Sequence, residues 1–400
     1  MAPRQPTTEA TTDARSATRR RRRLGAAVAV VIALALGVPA ALPLRVAAVA
    51  AEWPASTRDA GRRRATCDTL VTGAGCTPRE VTGRRDVEIE VPTRHPDRGL
   101  AALRGTLSLP VGPSPPHPAV LLLGGSGGTP RDPALRGVLI VHHAPFKTYD
   151  ALTELLVAHG LAVLRYDKRT CRPCYPDFVP DLVRFRFSHF EDDARDAHAW
   201  LRTHDDVDGD NLVLAGHSQG GAIAARLGAE LSGLRAVVML AGSIYPFREA
   251  LSGQLRRIAN LRQHQLDFVN AWIIRRSADA FDACLAEASR APDEPRACLN
   301  NVTFRAFDEE ATRAVATSAA IETLEIPFFA AQGQLDRNVD PAAIETLAGA
   351  LAGRDAELHV LAGVGHSLVH HDDRDRPRLS PELAAALSAF VASVKRSADD

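Results

Sequence analysis

The segment around Ser218 constrains the fold of this chain more than any other stretch. Residues 211–215 form a mainly apolar run typical of a buried strand, and residues 222–229 continue with the composition of a helix. Between them, Gly216-His217-Ser218-Gln219-Gly220 matches the pattern G-x-S-x-G. This order predicts a strand, a turn too tight for large neighbouring side chains, and a helix, which together form a nucleophile elbow. A bare G-x-S-x-G occurs by chance in about one chain in ten of this length, so the flanking strand and helix give the motif its weight.

Strands and helices alternate over most of the remaining chain. Two runs with period-two alternation, 87–91 and 103–109, predict antiparallel first strands. The later segments imply a mostly parallel sheet covered by helices on both faces, and therefore an α/β protein. The predicted later strands are 119–123, 161–166, 211–215, 234–241, 326–331 and 356–361, and the predicted helices are 149–159, 190–204, 222–229 and 381–395.

Residues 243 to about 320 interrupt this alternation with a mainly helical insertion. The insertion follows the strand after the elbow, and the C-terminal end of that strand should lie at the same edge of the sheet as Ser218. We therefore expect a cap over a site at this edge. An additional helical layer without contact to a substrate is the alternative.

The first residues of the chain have a composition of their own. Residues 1–51 hold eight arginines and two acidic residues, whereas the rest carries 40 basic and 46 acidic residues, a balance that argues against a nucleic-acid partner. Five arginines, 19–23, precede the apolar run 24–38, and small residues follow. This pattern predicts an export signal cleaved near Glu52, by the general or the twin-arginine route, and thus a secreted or extracytoplasmic protein. An uncleaved membrane anchor over residues 24–42 is the alternative.

Six cysteines agree with an oxidising destination. They form three near-neighbour pairs, which predicts local disulfides, although six cysteines allow fifteen connectivities. One of these disulfides would link the two cysteines of an extension over residues 52–80, ahead of a main domain over 81–400. A redox role for the C-x-x-C segment at 171–174 lacks a thioredoxin-like pattern, and a zinc site lacks a second close C-x-x-C. The pairs are Cys67 with Cys76, Cys171 with Cys174, and Cys284 with Cys298.

A serine that transfers acyl groups needs a base to remove its proton and an acid to orient that base. The candidate acid is Asp336, which lies just beyond the predicted strand 326–331. Asp340 is the rival, but its position directly before Pro341 and a predicted helix is typical of a helix cap. We therefore predict that Asp336 is the acid.

The candidate base is His366, in the loop after the last predicted strand. His370, His371 and the pair His142-His143 are other histidines that draw notice, but no carboxylate or cysteine cluster accompanies the pair, so no metal site is predicted. His217, beside the serine, is expected to pack at the elbow, because immediate neighbours in a strand point apart. Nothing in the sequence calls for a cofactor.

An oxyanion formed at the serine needs N–H donors. We predict the backbone N–H of Gln219, directly after the serine, and that of Ser126 in the glycine-rich loop 124–128. A simple tight turn is the alternative interpretation of this loop. A dinucleotide site is excluded, because the G-x-G-x-x-G spacing and the acidic residue about 20 positions later are both absent.

With these residues assembled, the chain resembles the α/β-hydrolase superfamily over roughly residues 86–395, and within it a group of exported esterase-like proteins related to serine aminopeptidases. The group's motifs occur here in their usual order. They are G-S-G-x-x-x-R-D at Gly125-Ser126-Gly127 and Arg131-Asp132, L-R-Y-D-x-R at Leu164–Arg169, G-H-S-x-G-G at Gly216–Gly221, G-x-x-D-x-x-V at Gly333, Asp336 and Val339, and G-x-x-H at Gly363 and His366.

The resemblance implies an α/β-hydrolase fold and a secreted serine hydrolase with a triad of Ser218, His366 and Asp336. Its expected substrate is a small acyl ester, cleaved through an acyl-enzyme. An aminopeptidase-like or amide hydrolase and a non-catalytic secreted binding protein are the alternatives. The segments 170–174 and 137–147 depart from the group's pattern near loops expected to shape the pocket, so a relative's substrate is not transferred.

Overall fold

The fold is described from a computed structural model of the chain. The described residues are 82–97, 99–135, 144–171, 173–178, 184–245, 253–254, 256–257, 268–296, 303–373 and 375–399. The predicted export signal, the predicted extension over 52–80 and the pair His142-His143 lie outside these ranges. Within them, no helix combines the length and the apolar character needed to cross a membrane.

A single sheet organises the described part of the chain, with the strand order β1-β2-β4-β3-β5-β6-β7-β8. The first two strands run antiparallel to each other, β2 pairs antiparallel with β4, and all later pairs are parallel. This arrangement confirms the predicted mostly parallel sheet. The strands are β1 Gly83–Asp97, β2 Leu100–Val111, β3 His117–Leu123, β4 Ala162–Tyr166, β5 Val207–His217, β6 Leu234–Leu240, β7 Phe328–Gly333 and β8 Ala356–Leu361.

Helices cover both faces of the sheet, because the central strands β3, β5 and β6 are apolar on both sides and must be buried on both. α1 and α7 pack together on one face, and α2 and α3 pack together on the other. The helices are α1 Thr148–Ala158, α2 Ser188–Arg202, α3 Gln219–Gly228, α4 Phe268–Ala288, α5 Phe304–Thr323, α6 Ala343–Ala350 and α7 Pro381–Asp399.

Most element boundaries differ from the sequence prediction by a few residues. The largest extensions are in β1, β2 and the start of β5, where backbone pairing continues beyond the apolar residues. In β5, Val207 pairs with His117 of β3. Ladder hydrogen bonds follow the backbone and not the side-chain pattern, so the sequence underestimates these strands.

The insertion predicted over residues 243 to about 320 is mainly helical where it is described, in α4 and α5, with turns and a bridge between them. The residues between 255 and 305 form a compact unit of their own, whereas the sheet and the residues from Ala306 onward belong to another. α5 therefore belongs almost entirely to the unit that holds the sheet. The role of the insertion as a cap stays a prediction.

Candidate active site

The segment around Ser218 forms the predicted sharp turn between β5 and α3. Ser218 has φ 57° and ψ −122°, a strained backbone conformation for a residue with a side chain. The turn also requires its glycines, because a Cβ on Gly216 would lie 2.1 Å from the carbonyl oxygen of Gly220. A Cβ on Gly220 would lie 2.4 Å from the carbonyl oxygen of Leu123, at the end of β3. The elbow is thus pressed directly against the strand that leads into the glycine-rich loop.

Asp336 and His366 meet at the same edge of the sheet. They follow the neighbouring parallel strands β7 and β8, and the Leu335 N–H donates to the Val364 carbonyl oxygen over 2.8 Å, which ties their two loops together. Asp336 Oδ2 lies 2.7 Å from His366 Nδ1. Because a carboxylate only accepts hydrogen bonds, Nδ1 carries the proton and His366 Nε2 is the ring nitrogen with a free lone pair.

The carboxylate of Asp336 is fully buried and held from several directions. Oδ1 accepts the N–H groups of Asn338 and Val339 over 2.7 and 3.0 Å, and Oδ2 accepts the side-chain amide of Gln332 over 2.7 Å. Burial by itself would raise the pKa of Asp336, but the charge and hydrogen bond of His366 and the two backbone N–H groups bring the pKa below its ordinary value. The carboxylate therefore stays ionised and holds the imidazole in one orientation.

His217 links the serine to the loop of His366. Its Nε2 donates to the His366 carbonyl oxygen over 2.8 Å, and its ring centroid lies 4.7 Å from that of His366. Its Nδ1 must then accept, and the Tyr149 hydroxyl donates to it over 3.0 Å. Burial lowers the pKa of His217 to about 3, so its imidazole is neutral and serves in packing and hydrogen bonding. Within the described residues, no hydrogen bond joins Ser218 Oγ to the His366 ring, a bond that is often long without substrate.

The two predicted oxyanion donors belong to segments next to the serine. Gln219 is the first residue of α3, so its N–H has no acceptor within the helix and stands at the positive end of the helix dipole. Gly125, directly before Ser126, also lies close to the serine, because a Cβ on Gly125 would lie 3.3 Å from Ser218 Cβ. The Gly125 N–H donates to the Tyr149 hydroxyl over 2.8 Å, whereas the Ser126 N–H has no hydrogen-bond partner in the part of the chain that the structure describes.

Lys168, for which the sequence predicts no role, lies beside these donors. Its Nζ lies 2.6 Å from the Gly125 carbonyl oxygen and 2.6 Å from Gln219 Oε1. The ammonium also stands 4.2 Å from the centroid of the Phe190 ring. Lys168 occupies the variable position of L-R-Y-D-x-R, so the motif gives no signal for it. Only its contacts single it out.

Four other charged residues of the matched motifs pair with one another beside the end of β4. Arg165, at the end of β4, makes a two-pronged ion pair with Asp132 over 2.9 and 3.1 Å. Asp167 accepts the Arg131 N–H over 2.8 Å. Both arginine and both aspartate positions thus hold the segment after the glycine-rich loop against the end of β4.

The rival candidates take other positions. Asp340 Oδ1 accepts the Ala342 N–H over 3.1 Å, in the turn that precedes α6. The N-cap residue of α6 is Ala342, without a side-chain cap bond, so Asp340 stabilises this preceding turn and is not the predicted cap of the helix. His370 packs against Gly363, and His371 begins a short 3-10 helix that ends at Asp373. Neither is hydrogen-bonded to Asp336 among the described residues.

The disulfide prediction is met where the structure describes it. Cys171 and Cys174 form a disulfide directly after the segment of Lys168, and Cys284 is also disulfide-bonded. Cys67, Cys76 and Cys298 lie outside the described residues.

Comparison with known proteins gives one family and a set of structural relatives. The model of the family described as serine aminopeptidase, S33, matches residues 136–373. Est1E from Butyrivibrio proteoclasticus is 16% identical with a TM-score of 0.50, over 77% of this chain and 99% of Est1E. The hyperthermophilic esterase from the archaeon Pyrobaculum calidifontis is 20% identical with a TM-score of 0.50, over 78% of this chain and 86% of the esterase. At such identities the likeness shows the fold. A comparison with curated proteins finds no significant match.

Proposed function

Because the chain belongs to the serine aminopeptidase S33 family and has the α/β-hydrolase fold, we propose that this hydrolase cleaves carboxylic esters through Ser218, His366 and Asp336. His366 Nε2 removes the proton from Ser218 Oγ, which attacks the ester carbonyl carbon. The protonated imidazole then donates that proton to the leaving alcohol, and an acyl-enzyme remains. Water, deprotonated by the same imidazole, attacks the acyl carbonyl and releases the acid and the free serine.

The observation that carries this proposal is the buried contact between Asp336 and His366. An ionised, fully buried carboxylate at 2.7 Å fixes the tautomer in which Nε2 accepts a proton. It also stabilises the imidazolium that forms when the proton is taken. This pair lies at the sheet edge where Ser218 projects from its strained turn, which is the spatial order that acyl transfer requires.

The N–H groups of Ser126 and Gln219 are proposed to bind the oxyanion of the tetrahedral intermediate. Gln219 directly follows Ser218, Gly125 next to Ser126 lies close to Ser218, and the N-terminus of α3 adds the favourable end of the helix dipole. Removal of one such donor costs about 100- to 1000-fold in kcat in enzymes of this type.

The decisive experiment is labelling with a fluorophosphonate probe, followed by peptide mapping of the labelled residue. We expect label on Ser218, hydrolysis of p-nitrophenyl acyl esters, and loss of both in Ser218→Ala. Ser114→Ala is the matched control, because it removes an exposed serine hydroxyl from the turn before β3, at the opposite end of that strand from the glycine-rich loop. Ester hydrolysis that survives Ser218→Ala would refute the assignment.

A second candidate function is cleavage of a peptide or amide, which the description of the matching family favours. The same three residues would serve, so Ser218→Ala does not separate the two activities. Aminoacyl anilides do, because a kcat/KM for them that exceeds that for p-nitrophenyl esters would identify an aminopeptidase. A protein that neither labels nor hydrolyses either substrate would instead be a binding protein with this fold.

We also propose that the chain is exported. The support is the arginine-rich, apolar start of the sequence together with the disulfide between Cys171 and Cys174. N-terminal sequencing of protein recovered from the culture medium should begin near Glu52. Full-length protein in the membrane fraction would favour an anchor over residues 24–42.

A further inference from the structure

We propose that Lys168 is a positioning residue that fixes both oxyanion donors, those of Ser126 and Gln219, from a single buried ammonium group. The inference rests on the proposed function, because it assigns the residue that orients the proposed oxyanion hole. Lys168 is only 6% exposed, and its Nζ donates hydrogen bonds of 2.6 Å both to Gly125 O, next to Ser126, and to Oε1 of Gln219, which follows Ser218.

The first bond orients the Ser126 N–H. Gly125 O and Ser126 N–H belong to the same peptide group, and in a trans peptide they point in opposite directions. With Gly125 O held by Lys168 Nζ, the Ser126 N–H points away from Lys168. The Gly125 N–H is held in turn by the Tyr149 hydroxyl, so this residue is fixed on both of its peptide groups and its rotation is restrained.

The second bond restrains the other donor. Gln219 begins α3, and its side-chain oxygen accepts from Lys168, so the side chain is tied to the glycine-rich loop. The Gln219 backbone N–H is thereby held at a set distance from the peptide that carries the Ser126 N–H. One ammonium group therefore sets the spacing of two donors that are far apart in the sequence.

The positive charge adds to the effect of position. Both of these acceptors are neutral oxygens, so the ammonium polarises the Gly125–Ser126 peptide and makes its N–H a stronger donor. The Phe190 ring at 4.2 Å stabilises the cation and restricts where it can move. The backbone of Lys168 is anchored as well, because its N–H donates to the Thr129 carbonyl oxygen over 3.1 Å.

The test compares Lys168→Met, which keeps most of the length of the side chain and removes its charge and donors, with wild type on a p-nitrophenyl ester. We expect kcat to fall by about tenfold to 100-fold with KM changed less than about threefold. Displaced donors reduce the stabilisation of the transition state more than they reduce the binding of the substrate. The affinity for a trifluoromethyl ketone, which forms a tetrahedral adduct bearing an oxyanion, should fall by the same factor as kcat/KM. Lys147→Met is the matched control, since Lys147 is exposed and should leave all three values unchanged.

Two further variants keep the inference testable if Lys168→Met fails to fold. Lys168→Arg retains the charge and should lose less activity than Lys168→Met. Gln219→Met keeps the backbone N–H and removes one acceptor of Lys168, so it should lower kcat about threefold to tenfold. In the double variant with Lys168→Met, the loss should be smaller than the product of the two single losses, because both act through one bond.

The failures of the two proposals are distinguishable. Wild-type protein without fluorophosphonate labelling at Ser218 would refute the proposed function itself. Wild-type protein that is labelled and active, together with folded Lys168→Met of unchanged kcat and ketone affinity, would overturn the role of Lys168 alone. A raised KM for the ester at constant kcat would also overturn it, because such a result would place the effect in ground-state binding and not in the transition state.

Discussion

Removal of one oxygen atom, in Tyr149→Phe, should weaken both the fold and the proposed site. The Tyr149 hydroxyl accepts the Gly125 N–H over 2.8 Å and donates to His217 Nδ1 over 3.0 Å, in a position where the tyrosine is 3% exposed. Burial raises the pKa of Tyr149 to about 12, so the hydroxyl keeps its proton over the whole working range of pH. The variant leaves one buried donor and one buried acceptor without a partner.

The expected loss follows from these two unpaired groups. A buried polar group that loses its partner costs about 1–3 kcal/mol, and part of this is regained because the phenol oxygen no longer has to be desolvated. We expect the free energy of unfolding to fall by about 2–4 kcal/mol in urea titrations. We also expect a lower kcat/KM for a p-nitrophenyl ester, because Gly125 and, through His217, the His366 loop each lose a restraint.

Leu387→Ala separates the two effects. Leu387 is buried in α7. Its replacement by alanine should lower the free energy of unfolding by about 2–5 kcal/mol through the cavity left behind, while the hydrogen bonds of Tyr149 are retained. Activity at a temperature where both variants are folded should therefore fall in Tyr149→Phe and stay near wild type in Leu387→Ala. A Tyr149→Phe protein with stability within about 0.5 kcal/mol of wild type would show that these bonds contribute nothing net, and would refute the reasoning.

The remaining predictions concern three other groups. Asp336→Asn should lower kcat about 1000- to 10,000-fold in a steady-state ester assay, because the amide favours the wrong tautomer of His366. Circular dichroism should show an unchanged fold, and a loss of kcat below tenfold would contradict the prediction. His217 has a pKa of about 3 in the folded protein against 6.5 as the ordinary value, so its contribution to stability is complete above pH 6.5 and is lost as the pH falls toward 3. Urea titrations at several pH values between 6.5 and 4 give the free energy of unfolding as a function of pH. In His217→Gln this free energy should change less steeply with pH than in wild type, by up to about 1.4 kcal/mol per pH unit, and an unchanged pH dependence would contradict the low pKa of His217. Replacement of both Cys171 and Cys174 by Ala should lower the free energy of unfolding by about 2 kcal/mol, the loop-closure value for so short a loop. A reductant added to wild type should lower it at least as much, because Cys284 is also disulfide-bonded, and an unchanged value in the double variant would contradict the prediction.

Those parts of the site that rest on local patterns were predictable. The elbow at Ser218 is predicted by the glycines that its backbone requires. The strands before Asp336 and His366 place both residues at one edge of the sheet. The parallel sheet follows from the central strands β3, β5 and β6, since each is apolar on both faces. A chain with these three loops has few other ways to bury its strands.

The supporting residues were not predictable, because they depend on contacts between distant segments. Tyr149 belongs to α1 and Lys168 to the loop after β4, and each looks in the sequence like an ordinary core or surface residue. For His217 of β5 the sequence predicts packing at the elbow, but not the partners of its hydrogen bonds. Periodicity tells which side of a helix is buried, but it does not tell which hydroxyl or ammonium group reaches a particular carbonyl oxygen. Such information is contained only in the packed structure.

The chain of hydrogen bonds from Gly125 through Tyr149 and His217 to the His366 carbonyl oxygen bears on how the protein would use substrate binding energy. Every hydrogen bond in this series is made by groups of the protein itself. The series therefore forms during folding and does not have to be assembled by induced fit. Little reorganisation then remains for the moment of reaction. Small esters with few contacts to the protein should accordingly be turned over with a kcat close to that of bulkier ones, and selectivity among acyl groups should be expressed chiefly in KM.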